Sequence, residues 1–324
     1  MTTEEILRVF PKLRALVVGD ICLDRWCTYD PALADISRET GIPRVAVVST
    51  AMTPGAGGTV AANLAALGAG RVAVLGVVGR DGFGYELKGA LAARGIGADL
   101  LVRADIPTFT YTKLINCRTG EEDLPRVDFV NAAPMPVDTE REVVGRLERA
   151  AADFDVVLIS DQAETSQGGV VTAAVREALA RLASAHPGTV FWADSRLRAD
   201  LFRGVTVKGN RAEMEAASTR ATGRVDYAAF RKHAQAPFLV VTAGGEGAMV
   251  VREGGTAWAA ARNIEKPVDI CGAGDSFSAA AALAMKATGD PLAAASFGNL
   301  AASITIMKKG TGTASPGEIL EQNS

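Results

Sequence analysis

Short apolar runs alternate with longer helical patterns along most of this 324-residue chain, and this alternation constrains the fold more than any other feature. Each run is hydrophobic at nearly every position, as in strands covered on both faces of a parallel sheet. Helices between such strands serve as crossovers, so the pattern predicts an α/β fold with a doubly wound, mostly parallel sheet flanked by helices. The predicted strands are Ala15–Val18, Val72–Val78, Val156–Ile159, Val190–Ala193 and Phe238–Thr242. The predicted helices are about Thr59–Leu67, Gly84–Arg94, Asp138–Ala151, Gly169–Ala185, Asp226–His233, Gly274–Thr288 and Leu292–Met307.

Two segments, about 28–49 and 109–131, lie outside this alternation. They contain strand-like runs such as VAVVS and TFTYTKLINC but no convincing helix. We expect them to form a small β-sheet lid on a single domain that spans residues 1–324. Lids of this kind close over ligands and exclude water. The alternative is that both segments are irregular loops.

The composition disfavours several classes of partner. The formal net charge is −3, with 22% charged and 48% hydrophobic residues, so we expect neither nucleic acid nor an anionic membrane as a partner. The longest apolar stretch, Phe277–Met285, is far shorter than the roughly 20 residues of a membrane helix. The N-terminus lacks the pattern of a secretory signal, and the four cysteines show no C-x-x-C pairing. These features favour a cytoplasmic protein with free thiols.

Several catalytic mechanisms are also disfavoured. The chain has only two histidines, His186 and His233, both in contexts typical of solvated surface. A Ser-His-Asp or Cys-His mechanism is therefore not expected, and a histidine-rich metal site is excluded. The G-x-x-x-x-G-K-[ST] motif of P-loop enzymes is absent. The sequence Gly68-x-Gly70-x-x-Ala73 leads into a strand instead of following one, so it does not fit the dinucleotide-binding fingerprint.

The stretch Gly272-Ala273-Gly274-Asp275 stands at the start of an alanine-rich predicted helix. The first turn of a helix has free N–H groups and partial positive charge, and small residues let a phosphate approach the backbone there. A carboxylate beside that phosphate would repel it, unless Asp275 faces a second substrate and accepts its hydroxyl proton. The alternative is that Asp275 is only a cap or first-turn acid, which would stabilise the helix by about 1 kcal/mol.

Further segments agree with a phosphate-transfer site, although each has a simpler interpretation. The stretch VVTAGGEGAMVV is typical of a strand, a glycine-rich turn and a strand, which suits a nucleotide or a plain hairpin. Asn210 and Glu213 form either a capping box or a phosphate and Mg²⁺ site. The glycine-rich stretch 55–58 precedes a helix, where a ligand can approach closely. Asp20 and Asp24 follow the first strand and either bind sugar hydroxyls or cap a turn.

Taken in order, these segments resemble the ribokinase-like (PfkB) family of carbohydrate kinases, and the resemblance spans nearly the whole chain. Its motifs are GDICLD, GAGGTVAANLAALGA, VVGRDGFG, KGNRAE, VTAGGEG, DICGAGDSF and AASITIMKKGTG. The stretches GDICLDRW, DISRETGIPRV and TYTKLI are most similar to the heptose-phosphate kinase domain of ADP-heptose synthesis. The resemblance implies a ribokinase-like domain with a small β lid, often used for dimerisation, and ATP with Mg²⁺ as cofactors.

The resemblance also implies roles for individual residues. Asp275 matches the catalytic base, and the anion hole is matched by Gly272, Ala273 and Gly274. The nucleotide, phosphate and Mg²⁺ side is matched by Asn210, Glu213, Thr242, Gly244, Gly247 and Asn299, with Glu213 holding Mg²⁺ through water. The sugar side is matched by Asp24, Gly57, Gly58, Thr59, Asn63 and Asp161. Asp269 matches the aspartate that helps to hold a monovalent cation such as K⁺ in many members.

Two departures from the family pattern leave the sugar open. Where the family usually has a sugar-binding asparagine, this chain has Thr59, with Asn63 one helical turn later. In the lid, a stretch rich in alternating prolines and acids is replaced by DISRETGIPRV, which adds Arg38 and Arg44. These arginines suit a phosphorylated or acidic sugar, or they are ordinary surface charge. Heptose 7-phosphate therefore does not follow as the substrate.

The sequence thus predicts an ATP-dependent kinase that phosphorylates a hydroxyl of a sugar or sugar phosphate, and we expect a homodimer formed through the lid. One alternative is a non-catalytic sugar or nucleotide sensor on the same scaffold. The presence of Asp275, Asn210 and Glu213 argues against a sensor, which has no use for a base. A nicotinamide-dependent dehydrogenase would need the glycine fingerprint that is missing here.

Overall fold

The computed structural model describes residues 1–262 and 264–322. They form the predicted α/β architecture, a large sheet flanked by helices with a small separate sheet. The strands are β1 (Arg14–Gly19), β2 (Ile21–Tyr29), β3 (Asp35–Ile36), β4 (Pro43–Arg44), β5 (Val47–Ala56), β6 (Arg71–Gly79), β7 (Gly97–Arg103), β8 (Thr110–Asn116), β9 (Val127–Phe129), β10 (Val156–Asp161), β11 (Val190–Ser195), β12 (Thr206–Asn210), β13 (Phe238–Thr242), β14 (Gly247–Arg252) and β15 (Gly255–Ala260). The helices are α1 (Thr3–Leu7), α2 (Gly57–Ala66), α3 (Gly82–Ala92), α4 (Val137–Ala150), α5 (Ala173–Ala185), α6 (Arg211–Thr222), α7 (Tyr227–His233), α8 (Ala273–Thr288), α9 (Pro291–Thr305) and α10 (Pro316–Gln322).

The large sheet has nine strands in the order β15-β14-β13-β12-β11-β10-β1-β6-β7. The strands from β13 to β7 pair in parallel, and β14 and β15 extend one edge in antiparallel pairing. The strand order reverses between β1 and β10. In sheets of this kind ligands bind beyond the carboxyl ends of the strands at such a switch point. The topology therefore predicts a ligand-binding site at the edge of the sheet where β1 and β10 end.

Two hydrophobic layers cover the large sheet, one on each face. Ala15 and Val17 of β1 contribute to the layer that contains α2, α8 and α9. The alternate residues Leu16 and Val18 contribute to the layer that contains α4, α5 and α6. Successive side chains of a strand point to opposite faces, so a strand covered on both sides is apolar throughout. This is why the apolar runs identified β1, β6, β10, β11 and β13, whereas the central strand β12, with the sequence TVKGN, was not predicted because it lacks an apolar run.

Helix α8 is buried along most of its length and brings its N-terminus to the switch point. Its residues from Ser276 to Ala284 are all buried, and the small alanine side chains allow close packing against α2 and α9. The helix begins at Ala273, within one residue of its predicted start. Within the described part of the chain, no helix is long and apolar enough to cross a membrane.

The small sheet has four strands in the order β5-β2-β8-β9, and β3 and β4 form a separate two-stranded hairpin. Its strands extend beyond the predicted segments, because β2 begins at Ile21 and β5 continues to Ala56. Only Asp20 separates β1 from β2, so the chain passes from the large sheet into the small one without a loop. The sequence analysis ended the core strand at Val18 and did not predict that a strand of the small sheet begins at Ile21.

One helix begins later than predicted. Helix α5 was expected over Gly169–Ala185 but begins at Ala173, after Thr172 caps its N-terminus. Val170 is buried in the preceding connection and donates its amide to Oδ1 of Asp20 at 2.8 Å. A short apolar run in a buried connection has no periodicity that separates it from the first turn of a helix.

Candidate active site

Two adjoining cavities lie at the carboxyl ends of the strands of the large sheet. The smaller, of about 140 Å³, lies between the small sheet and the start of α8. The larger, of about 550 Å³, extends from the start of α8 to α6 and to the turn between β13 and β14. Four residues line both cavities: Gln162, Arg196, Gly272 and Asp275. The site therefore has two compartments that meet at the start of α8.

The larger cavity brings together all the residues predicted for the nucleotide and the anion hole. They are Asn210, Glu213, Thr242, Gly244, Gly247, Asn299, Gly272, Ala273, Gly274 and Asp275. An apolar part of the wall is formed by Ile264, Pro267, Ile270 and Phe277. A concave site with an apolar wall and a few converging polar groups is typical of a site for a cofactor or small molecule.

The start of α8 presents main-chain amides to this site. Gly272 has φ +77°, in the left-handed region that favours glycine. The Ala273 amide donates to the carbonyl of Ile270 at 3.2 Å, so the structure removes Ala273 from the predicted anion-hole donors. For the amides of Gly272, Gly274 and Asp275, no protein acceptor is found among the described residues. Free amides at a helix N-terminus attract anions.

Asp275 lies where the two cavities meet. Within residues 1–262 and 264–322, its carboxylate makes no hydrogen bond and no ion pair. Burial and, to a smaller extent, the Asp194 carboxylate raise the pKa of Asp275 to about 7, while the Lys208 ammonium opposes the shift. A carboxylate with a pKa near neutral pH suits a general base. The Asp275 side chain accepts no hydrogen bond from the first turn of α8, so it does not act as the helix cap that the simpler interpretation requires.

A buried ion pair lies beside the start of α8. Nζ of Lys208 is 2.7 Å from Oδ2 of Asp194 and 3.5 Å from the carbonyl oxygen of Gly274. The Ser278 hydroxyl donates to the same Asp194 oxygen at 2.9 Å. Burial alone would lower the pKa of Lys208, but the Asp194 carboxylate outweighs it and the pKa is raised. Lys208 is therefore an ammonium at neutral pH.

Asn210 and Glu213 form a capping box at the start of α6. Oδ1 of Asn210 accepts from the Glu213 amide at 3.0 Å, and Oε2 of Glu213 accepts from the Asn210 amide at 2.7 Å. Burial raises the pKa of Glu213, against the effect of the Asn210 amide. Both residues also line the larger cavity, so the box fixes their side chains in its wall. The structural and the phosphate-binding interpretations are compatible.

Residues of the small sheet face the start of α8 across the smaller cavity. Asp24 on β2 is the predicted sugar-side residue that lies here, and burial raises its pKa to about 6 while Lys113 opposes the shift. Gly55 leaves space for this carboxylate, because a Cβ at Gly55 would lie 2.3 Å from Oδ1 of Asp24. The other lining residues, besides those shared with the larger cavity, are Arg25, Trp26, Ala56, Tyr111, Lys113, Arg126, Cys271 and Thr311.

Three cationic side chains line the smaller cavity: Lys113, Arg126 and Arg196. Each pairs with an acid, Lys113 with Glu122 at 3.5 Å, Arg126 with Asp128 at 2.7 Å and Arg196 with Glu164. Arg25 also borders the cavity, but it alternates with Asp24 along β2 and its guanidinium lies over the Phe83 ring, 4.7 Å from the centroid, on the other face of the small sheet. The cations of the cavity are therefore Lys113, Arg126 and Arg196, and Lys113 and Arg126 act on the Asp24 carboxylate.

Comparison with known proteins identifies the family. The sequence pattern of the pfkB family of carbohydrate kinases matches residues 15–317. The chain belongs to the pfkB family. One curated relative, the bifunctional protein HldE of Caulobacter vibrioides, is 32% identical over 324 residues, which cover 96% of this chain and 64% of that protein. HldE of Pelobacter propionicus is 31% identical over 337 residues, covering 99% of this chain and 66% of the relative. These matches confirm the family and subfamily resemblance seen in the sequence.

Solved structures have the same fold as this pfkB-family kinase. Ribokinase from Thermotoga maritima has a TM-score of 0.70 at 18% identity, with 96% of this chain and 99% of that chain covered. Phosphofructokinase-2 from Escherichia coli, in complex with potassium, has a TM-score of 0.70 at 22% identity, with 95% and 97% covered. The ribokinase-like fold expected from the sequence is therefore confirmed.

Two glycines predicted for the sugar side of this pfkB-family site pack within the protein. A Cβ at Gly57 would lie 2.6 Å from Cδ1 of Ile21, and a Cβ at Gly58 would lie 2.6 Å from Cβ of Pro54. Neither residue is among those that line the two cavities of the site. Their lack of a side chain allows the close packing of α2 against the start of β2 and the end of β5, and their role toward a sugar stays a prediction.

Three other predicted sugar-side residues are buried and paired within the protein. The Thr59 hydroxyl donates to the carbonyl of Pro54 at 3.0 Å, and the Asn63 amide group donates to the carbonyl of Thr59 at 3.0 Å. Asp161 is fully buried and is paired with Arg198 at 2.6 Å. Thr59 also lies beside the start of α8, because a Cβ at Gly272 would be 3.3 Å from its Cγ2. Each polar group thus has a protein partner, and a contact of these residues with a sugar stays a prediction.

Asp269 and the two lid arginines also lie outside the cavities. Asp269 accepts from the amides of Cys271 at 2.9 Å and Gly310 at 3.0 Å, and so joins the loop before α8 to the loop after α9. Arg38 is exposed, and Arg44 pairs with an acid on its own hairpin. The arginines that the sequence offered for an anionic sugar are thus not the cations of the smaller cavity.

The sequence analysis missed several residues that line the site. Asp194 follows a correctly predicted strand, and the carboxyl ends of parallel strands carry ligand-binding groups, so that rule could have found it. Lys208 stands two positions before Asn210 in the KGNRAE motif. Arg126 and Arg196 lie outside helices and strands, in stretches with no pattern that predicts their position.

Proposed function

We propose that this carbohydrate kinase transfers the γ-phosphoryl group of ATP to a hydroxyl of a small anionic sugar, with Asp275 as general base. The observation that carries the proposal is that the unpaired Asp275 carboxylate lines both cavities. The larger cavity is assigned to the nucleotide and the smaller to the sugar. A carboxylate between them can accept the hydroxyl proton as the sugar oxygen attacks phosphorus.

The anion hole is assigned to the free amides of Gly272, Gly274 and Asp275. They lie at the N-terminus of α8, where the helix dipole adds partial positive charge. A donor aimed at developing charge typically contributes a hundredfold to a thousandfold in rate. The same helix turn would thus hold the charge on the transferred group and the base that activates the acceptor.

The phosphates of ATP and Mg²⁺ are assigned to the side of the larger cavity formed by Asn210 and Glu213. Among the described residues, no three His, Cys, Asp or Glu side chains converge as a metal site. This fits Mg²⁺, which commonly binds through one or two carboxylates, waters and substrate phosphates. When bound, Mg²⁺ neutralises charge on the phosphates. For K⁺, both Asp269 oxygens already accept amides, so a cation there would depend on backbone carbonyls of the same loops.

The acceptor is assigned to sugars that carry a phosphate or carboxylate group. The smaller cavity has three cations, Lys113, Arg126 and Arg196, against Asp24 and Asp275. Arginine and lysine side chains that converge on one cavity favour a phosphate or carboxylate group. Heptose phosphates belong to this class, as do other sugar phosphates and sugar acids.

We also propose that two copies associate through their small sheets in the cytoplasm. Apolar side chains are exposed on the hairpin and on the edge strand β5, including Ile36, Ile42, Val45 and Val48. An edge strand with exposed apolar side chains favours pairing with another chain. The cysteines Cys22, Cys27, Cys117 and Cys271 are free thiols, which fits a reducing compartment.

A non-catalytic sensor is the alternative. A sensor that only binds ligands does not need an unpaired carboxylate between its cavities. Because burial raises the pKa of Asp275, ionisation of this side chain near neutral pH lowers the stability of the folded state. Since selection for binding alone would not maintain that cost, a kinase is favoured.

The test is a coupled assay of ADP release across heptose, hexose and pentose phosphates, sugar acids and neutral sugars. We expect Mg²⁺-dependent turnover of at least one anionic sugar. The variant Asp275→Asn should reduce kcat by about a thousandfold, since it removes the base, while ADP binding stays within a few-fold. Asp153→Asn, at an exposed acid far from the cavities, is the matched control. Turnover of no sugar would favour the sensor, and a nearly active Asp275→Asn would refute the assignment of the base.

A further inference from the structure

We propose that Lys208 is a second catalytic group, whose ammonium contacts the phosphoryl group during transfer, held in position by Asp194 and Ser278. The inference rests on the proposed function, because it requires a phosphoryl group at the start of α8. Lys208 plays no part in the roles assigned above to the base, the helix amides and the capping box.

The position of Lys208 combines burial with access to the nucleotide cavity. The residue is only 4% exposed, yet it lines the larger cavity. Its Nζ is fixed by Asp194 Oδ2 at 2.7 Å and lies 3.5 Å from the carbonyl of Gly274. An ammonium has three donors, and the described residues supply acceptors for two of them. The third is available to a ligand beside the free amide of Gly274.

Gly274 has a second purpose at this point. A Cβ added at Gly274 would lie 3.0 Å from Nζ of Lys208. The missing side chain therefore makes room for the lysine as well as for an anion. The ammonium and the helix amides share one face of the larger cavity, so they would bind the same phosphoryl oxygens.

The simpler interpretation is that Lys208 and Asp194 form a structural ion pair between β12 and β11. A buried ion pair is seldom more stabilising than well-packed apolar residues, so stability alone does not explain it. Lys208 is also surrounded by the charges of Asp194, Glu213 and Asp275. Without the Lys208 ammonium, these three carboxylates would repel the phosphates of an incoming nucleotide. The ammonium reduces that repulsion where the transferred group must enter.

The other cations of the larger cavity are less suited to this task. Among the described lining residues these are Arg196 and Arg262. Arg196 is paired with Glu164, and Arg262 donates to Gln322 near the C-terminus. Both are more exposed than Lys208, and neither makes a hydrogen bond to the first turn of α8 among the described residues, whereas Nζ of Lys208 is 3.5 Å from the carbonyl of Gly274.

The step balances without a change in the protonation of Lys208. The sugar oxygen forms a bond to the γ-phosphorus as the bond from that phosphorus to the β–γ bridging oxygen breaks. The electron pair of the broken bond stays on the departing ADP, and the hydroxyl proton moves to the Asp275 carboxylate. Lys208 keeps its protons and stabilises negative charge on the γ-phosphoryl oxygens.

The test compares Lys208→Met and Lys208→Arg with Lys286→Met, which removes an unrelated lysine that donates to the carbonyl of Gly188. The best acceptor from the panel, ATP and ADP are the probes. Lys208→Met should lower kcat by about a hundredfold or more and leave the dissociation constant of ADP, which lacks the γ-phosphoryl group, within a few-fold. Lys208→Arg should recover part of kcat, and Lys286→Met should match the wild type.

A structural role predicts a different result. If Lys208 only joins β11 to β12, Lys208→Met should lower the melting temperature while kcat of the folded fraction stays within about threefold, and that result would overturn the proposal. Should Lys208→Met fail to fold, the double variant Asp194→Asn with Lys208→Gln replaces the ion pair by a neutral hydrogen-bonded pair. Slow turnover by the folded double variant supports the proposal, and wild-type turnover overturns it.

The failure of this inference is distinguishable from the failure of the proposed function. If the wild-type protein turns over no sugar, the proposed function fails first. If the wild type is active and Asp275→Asn is inactive while Lys208→Met is fully active, only the role of Lys208 is wrong.

Discussion

The two cavities of the site are built by different means. The larger uses main-chain amides at the start of α8 and buried side chains at the ends of core strands, such as Asp194 and Lys208. The smaller uses longer side chains on the small sheet and in loops, such as Tyr111, Lys113 and Arg126. The first is fixed by the packing of the core, and the second can change with single substitutions on a sheet that packs at the edge of the domain.

Because of this difference, we expect the larger cavity to determine the rate of the reaction and the smaller cavity to determine which acceptor is used. Main-chain amides are the same in every residue and do not recognise a particular acceptor, so the larger cavity can support the same reaction with many acceptors. Charged side chains on the small sheet discriminate by the charge of the acceptor. Changes in the larger cavity should therefore affect turnover of every sugar, and changes in the smaller cavity should affect only some sugars.

Among the variants that test this separation of the two cavities, Gly274→Val should have the largest effect. The added side chain would collide with Nζ of Lys208, which is 3.0 Å from the Cβ position, and would cover the free amide. We expect kcat to fall by about a hundredfold or more for all acceptors, with little change in acceptor KM. Gly89→Val is the matched control, because a Cβ at this exposed helical glycine meets no atom within 4 Å. A loss confined to one acceptor would break the proposed separation of the cavities.

The sequence predicted the larger cavity better than the smaller one for a physical reason. Helix starts, glycine turns and strand ends are local features, so neighbouring residues indicated the helix starts at Gly272 and Asn210 and the turn at Gly244, and the family resemblance then implied their roles at a nucleotide. Asp24 and Lys113 of the smaller cavity meet only when β2 and β8 pair, and that pairing joins segments far apart in the chain. Strand pairing of this kind leaves no local signal.

The buried polar residues show the same limit. Asn63 and Asp161 had the residue types and positions expected of sugar ligands, but each satisfies a partner inside the protein. A sequence shows that a polar group is present, not which partner satisfies it. The core strands were predicted well because burial on both faces requires apolar residues at every position.

A smaller effect is expected from Lys113→Met. Removing this ammonium, which lines the smaller cavity on the face of Asp24, should raise KM for an anionic sugar by about tenfold, because a charged hydrogen bond typically contributes about 1.5 kcal/mol or more. KM for the neutral form of the same sugar, and kcat for both, should change little. Arg118→Met, at an exposed arginine of the turn after β8, is the control. Equal changes for charged and neutral sugars would show that Lys113 supports the sheet and does not recognise the charge of the acceptor.

The smallest effect is a gain in stability that accompanies the loss of activity in Asp275→Asn. The pKa of Asp275 is raised to about 7 in the folded protein, so between the unfolded value of 3.8 and about 7 the folded form retains a proton that the unfolded form releases. Stability contributed by that proton is present at low pH and is lost as the pH rises through 7. Asn has no charge to desolvate, so the variant should melt about 2 to 4 °C higher than the wild type at about pH 8.

Calorimetry across the pH range isolates this contribution. Asp20 and Asp24 also have pKa values raised to about 6, mainly by burial, but they are common to both proteins and cancel in the difference. The advantage of Asp275→Asn should therefore shrink as the pH is lowered below about 7 and disappear only as the pH approaches the unfolded value of 3.8. The same titration should appear in wild-type kcat/KM, which should rise as the pH increases through about 7 because the base must be ionised. If the difference in melting temperature between Asp275→Asn and the wild type did not depend on pH, Asp275 would not be desolvated between the cavities. Its assignment as the base would then be wrong.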